Sequence, residues 1–128
     1  MAIKILDIGQ CGFDGPRMAA LWHEQLGATV DRVDDGQAAA EKLKHNSYDV
    51  VLVNRVLAAD GSSGLDVIEE LVKAKTHVPI MLVSDLPEAQ VAAVELGAVK
   101  GFGKAALGEP ATLKLVASVA AGKTREKN

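Results

Sequence analysis

The most constraining stretch of the chain is Asp49-Val50-Val51-Leu52-Val53, four consecutive apolar residues entered from one carboxylate and left at Asn54. Side chains alternate between the two faces of a strand, so a run apolar at every position has to be covered on both sides. That is the signature of a central strand in a parallel sheet. Parallel neighbours cannot be joined by hairpins; they need long crossovers, which are usually helices.

The rest of the sequence supplies those pieces in alternation. Strands are expected over residues 3–8, 29–33, 49–53, 80–83 and 99–103, the last weakened by Gly101 and Gly103. Pro16 suits the first turn of a helix that ends at Gly27, with Met18, Leu21, Trp22 and Leu26 on one face. Residues 37–45 form a second helix that packs through Ala38 and Leu43, and residues 64–75 a third with Leu65, Ile68, Leu71 and Val72 inward. Pro87 opens a fourth that stops at Gly97, with Val91, Val94 and Ala98 near its packed side. Pro110 opens a fifth carrying Leu113, Val116, Ala117 and Ala120. Five strand–helix units imply an α/β fold, a parallel sheet with helices on both faces. Residues 1–121 read as a single, stand-alone domain and residues 122–128 as a polar tail that frays.

Composition sets the chemistry that is excluded. Only four aromatics occur among 128 residues (Phe13, Trp22, Tyr48 and Phe102), so the core is aliphatic. A net charge of −3 gives no field that would gather polyanions, which argues against nucleic acid or an anionic membrane as partner. No window reaches the roughly 18 apolar residues of a membrane span, and residues 1–8 read as a strand rather than a leader. A lone cysteine, Cys11, fits a reducing compartment, so the expected location is the cytoplasm.

In an open parallel sheet the functional residues lie beyond the carboxyl ends of the strands. Here those ends present Gly9 and Gln10, Asp34 and Asp35, Asn54, Ser84 and Lys104. The segments 48–54 (YDVVLVN) and 78–84 (VPIMLVS), with Glu95-Leu96-Gly97-Ala98 followed six residues later by Lys104, resemble the response-regulator receiver domains of two-component and phosphorelay signalling. The resemblance runs from Ile3 to about Ala121. It implies a flavodoxin-like, doubly wound (βα)5 fold with strand order 2-1-3-4-5.

That resemblance also implies roles, and most of them are missing. The phosphoacceptor aspartate position holds Asn54, the acidic pair falls on Gly9 and Gln10, and the switch-aromatic position holds Gly101, with Phe102 one residue later. Ser84 and Lys104 are retained, although Ala105 stands where a proline usually follows the lysine, and the loop after Asn54 runs about two residues longer than the family pattern. An amide is a far weaker nucleophile than a carboxylate, and Mg²⁺ wants hard, preferably anionic, oxygens. The expectation is therefore a degenerate pseudo-receiver that is not an enzyme, needs no cofactor and binds Mg²⁺ weakly or not at all. It would act by protein–protein contact with an unidentified signalling protein, through residues 87–121 and side chains such as Ala92, Ala93 and Leu107, or with a second copy as a homodimer.

Other readings start from single features. Lys104 could pair with Asp7, Asp60 or Asp85, and Ser84 could simply hold neighbouring backbone. Asp7 could lend the site one acid, and Asp60 could serve as a substitute phosphoacceptor. The glycines of residues 9–15, with Asp34 and Asp35 about twenty residues on, outline a nucleotide- or phosphate-binding loop, though spaced G-x-x-G-x-x-G rather than G-x-G-x-x-G. That loop is the alternative function: a small nucleotide-binding protein. His23, His45 and His77 lack metal-ligand spacing and are expected at the surface.

Overall fold

The structure is a computed structural model that describes residues 2–126 and the side chains of residues 2–122. Strands β1 (Lys4–Ile8), β2 (Thr29–Val33), β3 (Val50–Asn54), β4 (Ile80–Val83) and β5 (Val99–Phe102) alternate with helices α1 (Asp14–Leu26), α2 (Gly36–His45), α3 (Gly64–Lys73), α4 (Pro87–Leu96) and α5 (Pro110–Glu126). The sheet is parallel in the order β2-β1-β3-β4-β5, the flavodoxin-like topology expected. Because α5 runs to Glu126, residues 122–126 continue that helix instead of leaving it as a tail.

Alternation along the strands builds two cores. Leu6, Ile8, Val51, Val53 and Leu82 face α2, α3 and α4, meeting Ala39, Ile68, Leu71, Ala89 and Ala93. Ile5, Val50, Leu52, Met81 and Val83 face α1 and α5, meeting Met18, Trp22, Val116 and Ala120. The first four residues of β3, Val50 to Val53, are wholly buried, as its two-faced apolar run requires. Trp22 closes the second core edge-to-face on Phe102, with centroids 5.7 Å apart.

Two packing expectations fail at α4. Its buried residues are Ala89 and Ala93, while Val91 and Val94 are 59% and 46% exposed. The helix is apolar nearly all round, so periodicity gave no way to choose a face; the small residues won because they allow close approach to the sheet. Ala93 and Leu107 are consequently core residues, unavailable as contact side chains, and the apolar surface near β5 consists of Val91, Val94 and Val99.

Candidate functional site

At the carboxyl end of the sheet β1 and β3 lie side by side, with Ile8 opposite Val53, so Gly9 and Asn54 meet just beyond them. The Asn54 amide nitrogen donates to the Gly9 carbonyl at 3.1 Å and to the Val56 carbonyl at 2.8 Å. The same Gly9 carbonyl accepts the Ala58 amide at 3.0 Å. Position 54 thus serves as a donor that ties the first loop to the third. A carboxylate in this orientation would set one of its oxygens against both carbonyl oxygens.

Gly9 could not carry an acid in this backbone. Its φ is +81°, a conformation that favours glycine, and a Cβ built there would lie 2.3 Å from the Leu57 side chain and 3.3 Å from its Cα. Gln10 is buried, and its amide donates to the Asp7 carboxylate at 3.1 Å. Asp7, 1% exposed, is paired with Gln10 and has no contact with Lys104. Burial pushes its carboxyl up to about 6, opposed by the Gln10 hydrogen bond and by the charges of Arg32 and Lys104.

Lys104 finds a partner that sequence reasoning missed. Its Nζ lies 2.8 Å from Asp14 Oδ2 at the start of α1, and Arg17 holds the other oxygen at 3.0 Å. The Lys104 hydrogen bond, then that of Arg17, keeps the Asp14 carboxyl below its ordinary range. Ninety residues separate the pair, and Asp14 opens α1 from a glycine-rich stretch of sequence with no periodic signal to mark it. Asp60 turns back on Ser62, accepting its amide and hydroxyl, and Asp85 faces the Ala105 amide. Neither of these reaches Lys104. Ser84 accepts the Leu86 amide through Oγ at 3.1 Å, the local backbone role considered for it.

The loop over residues 9–15 is tied down as well. Cys11 receives the Asp14 amide on its sulfur and the Gly15 amide on its carbonyl, while the Arg32 guanidinium covers Gly15. With the first amides of α1 so engaged and a carboxylate already at the helix start, no phosphate cradle is left there. His23, His45 and His77 are all exposed, as expected.

Between β4 and β5 the register slips: Met81 pairs with Val99 but Val83 with Phe102, so β5 holds one extra residue. Gln90 of α4 repairs the gap. Its Nε2 donates to the carbonyls of Leu82 at 2.9 Å and Ser84 at 3.0 Å, and its Oε1 accepts the Gly101 amide at 2.9 Å. Nothing in the sequence distinguishes this glutamine from a solvated helix residue. Gln90→Ala is expected to cost about 2–4 kcal/mol, because it strips partners from half-buried strand backbone; urea denaturation measures it.

What remains at the mouth is a shallow cavity of about 270 Å³ lined by Asn54, Arg55, Ser84, Asp85 and Lys104, among others. Its one acid is turned to backbone, so the residues present do not fit a divalent cation. Among the described residues no helix is long and apolar enough to cross a membrane.

Comparison with known proteins agrees with the topology. The chain has TM-scores of 0.81 against NtrX from Brucella abortus (22% identity, 99% of this chain but only 28% of that longer protein) and 0.78 against a CheY-like receiver domain from Methanospirillum hungatei (14% identity, 98% and 99% of the two chains). The Francisella response regulator 1452 receiver domain gives 0.70 at 19% identity, over 97% and 98%. No curated protein matches the sequence. The family model for the response regulator receiver domain matches residues 15–113, and on that match this chain belongs to the response regulator receiver domains of two-component signalling.

Proposed function

We propose that this receiver domain is a pseudo-receiver, which transmits by protein contact and is not switched by aspartyl phosphorylation. Asn54 stands at the phosphoacceptor position, Gly9 and Gln10 at the acidic-pair positions and Gly101 at the switch-aromatic position; Ser84 and Lys104 are what is retained. Receiver domains in general bind Mg²⁺ at an acidic pocket. The observation that carries the reading is the Asn54 amide, whose two bonds to Gly9 and Val56 make a donor part of the local architecture.

Two further features support it. The Gly9 conformation leaves no room for a side chain, and the Lys104 ammonium is already neutralised by Asp14. The contact surface is assigned to residues 87–121, where Val91, Val94 and Val99 expose an aliphatic patch beside the β5 edge that suits a signalling partner or a second copy. We place the domain, over residues 1–121, in the cytoplasm and assign it no cofactor.

Acetyl phosphate with Mg²⁺ followed by intact-mass spectrometry tests the reading. No phosphoryl adduct is expected on the wild type. Asn54→Asp is expected to lose about 1–3 kcal/mol of stability and still to remain unmodified. A hydroxylamine-labile adduct on the wild type would refute it.

A further inference from the structure

The opposite, amino-terminal end of the sheet carries a feature the receiver role does not use. A furrow runs between α2 and α3, opening at its lower end into a cavity of about 420 Å³ and continuing upward into one of about 410 Å³ that shares Ala40, Leu71 and Ala74. The lower part is floored by Leu43, Leu71, Val78 and the buried ring of Tyr48, whose hydroxyl is fixed on Asp31 at 2.5 Å. Lys44, Lys75 and His77 stand around this lower part, which no carboxylate lines, whereas Glu70 lines the upper one.

The charge there is unbalanced in a chain whose net charge is −3. Neighbouring basic side chains have partners one turn back along their helices, His45 beside Glu41 and Lys73 paired with Glu69. Lys44, Lys75 and His77 make no ion pair among the described residues.

Lys75 is the telling member. Its φ is 60°, the left-handed conformation that usually falls to glycine just past a helix end, and its amide closes α3 on the Val72 carbonyl. Glycine would serve the turn better, since a side chain in that conformation costs roughly 1 kcal/mol. Lysine offsets part of that cost by standing at the partly negative carboxyl end of α3, and it sets an ammonium at the furrow.

We propose that the furrow between the carboxyl ends of α2 and α3 docks an acidic segment of a partner protein, anchored by an aliphatic side chain over Leu43 and Leu71. None of its lining residues falls within residues 87–121, and it stands independently of the phosphorylation state. An aliphatic floor supplies the anchor, the unpaired ammonium groups of Lys44 and Lys75 select carboxylates at its rim, and the His77 ring offers a further polar contact.

The test uses the ¹⁵N-labelled full chain and a pool of peptides of about eight residues, randomised among Asp, Glu, Leu and Ile, beside a charge-inverted pool containing Lys and Arg. The acidic pool is expected to shift amides of residues 43–48 and 71–78 and the inverted pool to leave them in place. Lys75→Gly should raise the melting temperature while weakening the response, and adding Lys44→Ala should weaken it at least about tenfold. Equal response to both pools, shifts centred elsewhere, no response at about 1 mM peptide, or unchanged affinity in the double variant would each overturn the proposal.

Discussion

Gly101→Ala is expected to cost more than about 4 kcal/mol, at the far end of what a single methyl group can do. A Cβ at this position would lie 2.0 Å from the carbonyl oxygen of Leu82 and 3.0 Å from its carbonyl carbon and amide nitrogen. Those atoms belong to β4, the strand between β3 and β5, and are held by Gln90, so neither partner can withdraw cheaply. Equilibrium denaturation, or loss of the native circular-dichroism signal if the variant does not fold, measures the effect. Gly12→Ala is the control, since nothing lies within 4 Å of a Cβ there, and it should change stability by less than about 1 kcal/mol. The same geometry bars an aromatic side chain from position 101. On the proposed assignment of position 101 to the switch aromatic, an aromatic there would break the strand pairing before it could restore a switch.

Asp7→Asn is expected to do the reverse and stabilise the protein at neutral pH. The folded state holds the Asp7 proton until about pH 6, against 3.8 for the free side chain. Between those values the folded chain binds more protons than the unfolded one, so stability falls as pH rises through that window and stays low above it. The cost at pH 7 is on the order of 3 kcal/mol. Asp7 Oδ2 and Gln10 Oε1 are both buried without a hydrogen-bond partner, and an asparagine amide could supply a donor to the second. Urea midpoints at pH 4, 5, 6 and 7.5 should decline for the wild type and stay nearly level for Asp7→Asn. A wild-type midpoint that rises over that range would show that Asp7 is held ionised.

Much of this fold was legible from the chain because periodicity and punctuation agree. The wholly apolar β3, Pro87 and Pro110 at helix starts and Gly27 and Gly97 at helix ends all lie where local chemistry places them. What was not legible depends on contacts distant in sequence. Asp14 reaches Lys104 across the sheet end, and Gln90 fills a bulge that exists only once β4 and β5 are paired. The orientation of α4 was hidden for a different reason: Ala89, Val91, Ala92, Ala93 and Val94 spread around it, and Glu88, Gln90 and Glu95 do not gather on one face. The proposed site positions Gly9, Asn54 and Gly101 come from the sequence pattern alone. Only the structure shows that a Cβ is crowded at the two glycines and that the asparagine acts as a donor.

Magnesium binding, followed by calorimetry and by the amide spectrum of the full chain, asks most directly whether the mouth of this sheet can still gather a hard cation. No saturable heat and no shift at Gly9, Asn54 or Lys104 are expected up to about 20 mM Mg²⁺. A saturable isotherm with a dissociation constant below about 1 mM, accompanied by shifts at those three amides, would contradict the silenced site.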